Sequence, residues 1–217
     1  MQIRSETPGD YAASAAVHAE AFAPRAIEAG IMTLHRQRAE FDPELSLVAE
    51  LDGAVVGHAL FSPRPVRLLG REVRAVCLGP IAVSPAHQSR KIGTALINAG
   101  HETARAKGYE LSFLLGHPWY YPKLGYLTHA YGHSTIAVDP AGLPAGGLQQ
   151  RAPLAGDVPA LRRLWEHEEG GVDFAVDPGG ALLDWLSPTG AVENSVFVSG
   201  EAVVGYARVR RDHPSRP

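Results

Sequence analysis

The sequence predicts a mixed α/β (α+β) fold: a mixed central sheet flanked by helices, with a partial duplicated unit at the C-terminus. Three observations carry this. Asp52-Gly53 lies between two apolar runs, a strong hairpin signal that makes antiparallel neighbours. The strand, helix, strand order from Val73 to Leu115 demands a right-handed crossover between parallel strands. Short blocks near the N-terminus recur about 147 positions later.

Taken in order, Gln2 to Ser5 reads as a strand. Thr7-Pro8-Gly9-Asp10 is turn chemistry, with Asp10 placed to cap a helix through Phe22. A second helix is expected from roughly Arg25 to Ala39. Leu45 to Leu51 and Val55 to Phe61 form the hairpin around Asp52-Gly53. Val73 to Val83 is one long strand whose central Pro80 removes a ladder donor and predicts a bulge or a broken pairing. Ile92, Ala95, Leu96, Ala99 and Ala106 fall mostly three or four apart, one face of a helix that stops at Gly108. Leu111 to Leu115 reads as a buried strand and Tyr120 to Leu124 as a short helical turn. Two more strands are expected near Tyr126 to His129 and Ser134 to Val138. Asp139 to Gly147, with two prolines and three glycines, reads as a linker.

The order of domains is thus 1–138, a linker at 139–147, and 148–217. In the last segment Gln149, Arg151, Gly156, Asp157 and Ala160 repeat Gln2, Arg4, Gly9, Asp10 and Ala13, each pair 147 positions apart. Val203-Val204-Gly205 repeats Val55-Val56-Gly57 at a spacing of 148. Two separated blocks agreeing to within one residue argue for duplication, against unrelated caps and hairpins. The copy ends after a strand at Ala202 to Arg210, before any counterpart of Val73 to Leu115.

With 45% hydrophobic and 20% charged residues, the chain can bury a sizeable core. A net charge of -3 gives no electrostatic reason to expect nucleic acid or an anionic membrane as partner. The N-terminus lacks the basic-then-apolar order of a secretion signal, and no apolar run approaches membrane-spanning length. Cys77 is the only cysteine and sits in an apolar run, so it reads as inert core and the chain as cytoplasmic.

The most informative stretch runs from Leu78 to Ile97: a strand ends, a short polar loop turns, and a helix begins beside Gly93. Amides at a helix start carry partial positive charge and suit phosphate or pyrophosphate. Gly93 lets a phosphate approach the backbone closely, and Arg90 and Lys91 supply local positive charge. This segment, Leu78-Gly79-Pro80-Ile81-Ala82-Val83 and the loop after it, resembles the GNAT superfamily of N-acetyltransferases. The likeness is to the bacterial branch whose fourth strand reads Leu-Gly-Pro-hydrophobic-Ala-Val. The family loop is Gln or Arg, two variable residues, Gly, one variable residue, then Gly or Ala. Gln88 takes its first position and Gly93 its last, whereas Lys91 stands where the family has its first glycine.

The resemblance covers residues 1 to about 138 and implies the GNAT fold with acetyl-CoA as co-substrate. Gln88, Ser89, Arg90, Lys91, Ile92, Gly93 and Thr94 would form the diphosphate cradle. It also implies that the fourth and fifth strands splay around the pantetheine arm, with Ile81, Ala82 and Val83 lining it and their amides near the acyl carbonyl. A second motif, Tyr120-Tyr121-Pro122-Lys123-Leu124-Gly125-Tyr126, is similar to the family's Tyr, three residues, Gly, aromatic signature. It implies that Tyr121 protonates the departing thiolate. The other reading of such a tyrosine is an anchor of helix to sheet, which is the reading adopted for Trp119, Tyr120 and Tyr126.

The implied reaction is direct attack of a primary amine, on a small molecule or a peptide, upon the thioester. Neutralising a lysine-like amine at pH 7 costs roughly 4 to 5 kcal/mol, so a base or desolvation must contribute. Glu20, Glu28, Glu50, His117 and His129 are candidates by type, and spacing selects none of them. No metal is expected: His129 and His133 are four apart, but Gly132 and a strand context separate them from a helical ligand pair. The alternative reading is a non-catalytic acyl-CoA-binding or regulatory module, with the half-copy as a lid, an interaction surface or a homodimer contact.

Overall fold

Strand β1 (Gln2–Ser5) leads through a 3-10 turn at Pro8–Asp10 into helix α1 (Tyr11–Ala21), and α2 (Ile27–Arg36) follows in this computed structural model. The structure describes residues 1–24, 27–128, 146–187 and 192–210, and the chain divides into two units, Met1–Thr128 and His129–Pro217. In the first unit come β2 (Ser46–Leu51), β3 (Ala54–Pro63), the short pair β4 (Val66–Leu68) and β5 (Arg71–Val73), then β6 (Ala75–Val83), α3 (Ile92–Ala106) and β7 (Leu111–Phe113). The sheet order is β1-β2-β3-β6-β7; its first three pairings are antiparallel, and β6 and β7 run parallel.

The sequence explains the register. Asp52 and Gly53 both take positive φ, 51° and 81°, the twist a two-residue hairpin requires. Across β3 and β6, Ala59 faces Ile81 but Phe61 faces Leu78, so Gly79 and Pro80 oppose Leu60 alone. This is the bulge that Pro80 predicts. The parallel ladder of β6 with β7 runs only from Ala75 and Leu111 to Cys77 and Phe113. Beyond the bulge, β6 continues through Ile81 to Val83 with no ladder to β7 among the described residues.

Each face of β3 meets a different layer. Gly57, Ala59 and Phe61 belong to the α3 side: Ile92 and Leu96 close on Gly57, and the Phe61 ring fills the space where Gly100 lacks a side chain. Fully burying a residue such as Phe61, Leu96 or Ile97 stabilises the fold by roughly 1.5–3 kcal/mol each. On the other face, His58 meets His18 of α1 and Ser62 meets His35 of α2. Cys77 lies in this sheet, and burial pushes its thiol up to about 11, consistent with an inert group.

Several expectations are corrected. Asp10 precedes α1 but does not cap it: its carboxylate accepts from the Thr7 amide and hydroxyl at 2.8 and 2.7 Å and from Arg4. The second helix is shorter than Arg25 to Ala39, ending at Arg36. The long strand from Val73 is two, with a hairpin β4–β5 turning at Leu69-Gly70. Strand β7 stops at Phe113, two residues short of Leu115. Tyr126 to Thr128 are not a strand, while His129, Ser134 to Val138 and most of 139–147 lie outside the described residues.

The second unit comprises β8 (Gln149–Arg151), α4 (Val158–Glu169), β9 (Phe174–Val176), α5 (Leu182–Trp185), β10 (Val192–Ser199) and β11 (Ala202–Arg210). Strands β11, β10 and β8 form an antiparallel sheet in that order, as β3, β2 and β1 do. Val158, Leu161, Trp185, Val196 and Val198 form its core. Details repeat as well. Arg4 grips Asp10 through two bonds of 2.7 and 2.9 Å, and Arg151 grips Asp157 through two of 2.6 and 2.8 Å. The β2–β3 ladder slips between Ala49 and Glu50, opposite Gly57 and Val55, and β10–β11 slips between Phe197 and Val198, opposite Gly205 and Val203.

Candidate active site

The end of β6, the start of α3 and the turn after β7 carry the sequence-predicted residues. Ile81 and Val83 are half-buried against the α3-side core, whereas Ala82 is buried and pairs across the ladder with His58. Past Val83, a 3-10 turn at Pro85–His87 reverses the chain, and the Gln88 side-chain amide donates to the Val83 carbonyl at 3.1 Å. That bond fixes the loop to the strand end. An Arg90 guanidinium N–H donates to His87 Nδ1 at 3.1 Å, holding the arginine beside the loop.

Ser89 and Lys91 both have φ of 63°, with Arg90 between them at negative φ. Such alternation turns successive amides toward one concavity, a geometry that favours anions. The left-handed state at Lys91 is what the glycine of the family loop supplies freely, and here a lysine bears its cost. Ala95 makes the first helical bond, to the Lys91 carbonyl at 3.0 Å. The amides of Ile92, Gly93 and Thr94 in the first turn therefore have no intrahelical acceptor. Ile92 is buried in the core, fixing the helix start, while Gln88, Ser89, Arg90 and Lys91 are exposed. A Cβ on Gly93 would come within 3.2 Å of the Tyr120 hydroxyl, so the glycine leaves room where this phenol meets the helix. These residues fit a diphosphate: unpaired amides, a small side chain and local positive charge converge.

Tyr121 opens the 3-10 turn Tyr121–Leu124, which Gly125 ends with φ of 90°, the left-handed value that explains this glycine. The Tyr121 ring lies over Gly116, where a Cβ would approach it to 2.5 Å, and stands edge-on to Tyr120 at 5.1 Å and Tyr126 at 5.8 Å. Burial, aided by Tyr120, raises its pKa above the ordinary phenol value, so Tyr121 holds its proton at neutral pH. Tyr126 is the anchor expected of it: its hydroxyl meets Ser112 Oγ at 2.6 Å and His101 Nε2 at 2.8 Å, and burial pushes its pKa to about 12. Tyr120 packs on the core and Lys123 lies 4.8 Å over its ring. Trp119 is no anchor. It is 76% exposed and stacks on the exposed His117 at 5.0 Å.

Of the candidate bases, Glu50 is bound to Arg4, and Glu20 accepts from Ser84 Oγ at 3.2 Å on the surface beside the β6 end. Glu28 keeps one buried carboxylate oxygen without a partner among the described residues. Sequence reasoning missed a buried polar chain on the α1 side of the sheet. His18 Nε2 lies 3.0 Å from His58 Nδ1; His58 Nε2 lies 3.0 Å from Ser46 Oγ and 3.5 Å from Glu6 Oε1. Ser46 donates to Glu6 at 2.7 Å, and Arg36 grips the same carboxylate at 2.6 and 3.2 Å. Burial opposes the charge on Glu6, yet the hydrogen bond from His58, that ring's charge and the Ser14 and Ser46 hydroxyls bring it down to about 2. The available signal was a histidine inside the apolar run Val55 to Phe61, a polar residue where the alternation gives a buried face.

Among the described residues, no group of three His, Cys, Asp or Glu side chains is placed to hold a metal, and no helix is long and apolar enough to cross a membrane.

A family profile described as "Acetyltransferase (GNAT) domain" matches residues 2–128. The uncharacterized N-acetyltransferase YjhQ of Escherichia coli K12 is 38% identical over 84 residues, 39% of this chain and 46% of its own length; the chain thus spans about half of that curated relative. A crystal structure of a GNAT family acetyltransferase from Brucella melitensis in complex with acetyl-CoA is 36% identical, covering 64% of this chain and 92% of that one, with a TM-score of 0.52. A GCN5-related N-acetyltransferase from Kribbella flavida, 19% identical, matches the fold over 97% of this chain and 54% of its own, with a TM-score of 0.73. The sheet, the helix-start loop and the profile match over more than half of its length agree: the chain belongs to the GNAT acetyltransferase family.

Proposed function

We propose that this protein is an N-acetyltransferase that transfers an acetyl group from acetyl-CoA to a primary amine by direct attack. The observation that carries the reading is the end of the β6–β7 ladder at Cys77 and Phe113, with a cradle of unpaired amides at the following helix start. A separated strand edge can pair with the amide-bearing pantetheine arm, and the α3 N-terminus can hold the diphosphate. The Brucella melitensis relative, solved in complex with acetyl-CoA and matching across most of its length, supports that co-substrate. When bound, acetyl-CoA supplies an activated acyl carbon. Ser89 to Thr94 bind it by their amides, those amides of the Ile81 to Val83 stretch that face away from β3 stabilise the oxyanion, and Tyr121 gives its proton to the departing thiolate. Residues 149–210 repeat the order of the first strands and helix, and among their described residues no second helix-start loop of the Gln88 to Thr94 kind is present, so this reading expects one coenzyme for this chain.

The test is a thiol-release screen with acetyl-CoA over amines, amino acids, polyamines and peptides, repeated with Tyr121→Phe. The proposal expects release with at least one amine class and a loss in kcat of about 100-fold in the variant. Binding of acetyl-CoA with no release from any amine would make the protein a binding module instead.

A further inference from the structure

We propose that Glu28 is the carboxylate that receives the acceptor: its free oxygen takes an N–H of the acceptor's ammonium group, so the substrates are amines that are cationic at neutral pH rather than neutral aromatic amines. This rests on the acetyltransferase reading and names the side of the site which that reading leaves open. The starting point is an orphan atom. Glu28 Oε2 is shielded from solvent and has no hydrogen-bond partner among the described residues. Taking a carboxylate oxygen out of water without giving it a donor destabilises a fold, so the position calls for a cation. An acid in the first turn of a helix also stabilises it through the dipole, but an exposed carboxylate serves that role and needs no oxygen shut from water.

The helix fixes where the carboxylate stands. Glu28, Met32 and His35 are spaced i, i+4 and i+7, one face of α2 with Met32 fully buried, while Gly30 and Thr33 are exposed on the opposite face. His35 Nδ1 meets Ser62 Oγ at 3.0 Å, so the Glu28 face looks onto the sheet, at the level where Ser62 pairs with Cys77. One residue on, the Arg36 guanidinium lies 4.0 Å over the ring of Tyr11, the first residue of α1. The far end of α1 reaches the end of β6, where Glu20 accepts from Ser84 Oγ. The two helices pack together with the end of one beside the start of the other, so they are antiparallel and α2 begins toward the end of β6.

Two helical turns before His35, about 10 Å along the axis, carry Glu28 from the level of Cys77 toward that of Ile81 and Ala82. There β6 has left its ladder with β7 and the acyl group is proposed to sit, and α2 itself packs on β6. Glu28 is half-buried, and Ala23 and Pro24 just before the helix are exposed, so this corner of the fold borders solvent. The broad terminal torsion of a glutamate lets either oxygen turn toward an arriving group. Charge is sorted in the same way. The coenzyme loop carries Arg90 and Lys91, whereas the facing ends of α1 and α2 carry Glu20 and Glu28, neither with an ion-pair partner among the described residues. An anionic coenzyme is drawn to one side and a cationic amine to the other. Glu28 binds and orients the amine, and no bond is made or broken at its oxygen.

Glu28→Gln keeps the shape of the side chain and removes its charge. For the best amine of the thiol-release screen, KM should rise by about 10–100-fold, the worth of a hydrogen bond to a charged group, with kcat within about three-fold and acetyl-CoA affinity within about two-fold of wild type. Glu28→Asp, which keeps the charge on a shorter stem, should fall between the two. Glu102→Gln removes the same charge from the exposed side of α3, across the sheet, and should leave KM unchanged. Carbon NMR reads the contact without turnover. In protein saturated with coenzyme A, the Glu28 carboxyl resonance, assigned by its absence in Glu28→Gln, should shift on adding butylammonium at constant ionic strength and stay in place with aniline, which is neutral at pH 7. No shift with butylammonium, an equal shift with aniline, or an unchanged KM in Glu28→Gln, with or without a loss of stability in urea, would overturn the proposal. Wild type that binds acetyl-CoA and releases no thiol with any amine overturns the acetyltransferase reading, and the carboxyl resonance then still decides whether Glu28 holds the cation.

Discussion

Replacing Glu6 by glutamine removes the carboxylate on which Arg36, Ser46 and His58 converge, with its side chain only 1% exposed. Its pKa falls from 4.5 to about 2 in the folded protein, and at 1.36 kcal/mol per unit this amounts to about 3 kcal/mol of stability. The sign follows from the direction. A depressed carboxylate stabilises the fold above its unfolded value and loses that contribution as protons enter the folded site, so the term is full above about pH 5 and nearly gone near pH 2. At neutral pH, Glu6→Gln should cost roughly 3–5 kcal/mol, because Arg36 is left buried without its partner. Asp10 and Asp157, also depressed, are common to both proteins and cancel in the comparison. Urea unfolding, followed through the amide signals of β2 and β3, reads the first unit directly. Wild type should lose about 3 kcal/mol more than the variant between pH 5 and pH 2. Parallel stability curves across that range would refute the reasoning.

Gly116→Ala places a Cβ about 2.5 Å from the Tyr121 ring and should displace the phenol; thiol release is expected to fall by about tenfold or more, with coenzyme affinity in calorimetry unchanged. Lys91→Gly removes a left-handed lysine, worth roughly 1–2 kcal/mol, against about 0.4–1 kcal/mol of added freedom in the unfolded chain. A net gain of about 0.5–1 kcal/mol in chemical denaturation is the result to look for. Gly100→Ala drives a Cβ to 2.0 Å from Phe61, and the same measurement should show a loss of about 1–3 kcal/mol.

Local punctuation was legible in the sequence. Asp52-Gly53 and Pro80 each act on their own backbone, so a hairpin and a bulge could be placed without knowing their partners. The helix start near Ile92 was equally readable, because its apolar spacing and the loop before it are both local. The hairpin β4–β5 was not: its strands are three residues each, too short for alternation to register, and Leu69 adopts positive φ where sequence gives no warning. Trp119 misled because an aromatic in a motif rich in aromatics looks like packing, yet the turn points it outward. The polar chain was invisible for a different reason. His18 and His58 lie 40 residues apart and Glu6 precedes both, so only the stacking of α1 on β3 brings them together.

The claim on which the enzymatic account rests is that amides at the start of α3 hold a diphosphate. Calorimetric titration of the whole protein with acetyl-CoA, beside a folded Gly93→Asp variant that puts a carboxylate into that first turn, tests it most directly. The account predicts one coenzyme per chain for wild type and an affinity lowered by about 100-fold or more in the variant, through like-charge repulsion in the cradle. No heat of binding with folded wild type, or equal affinity in both proteins, would contradict it.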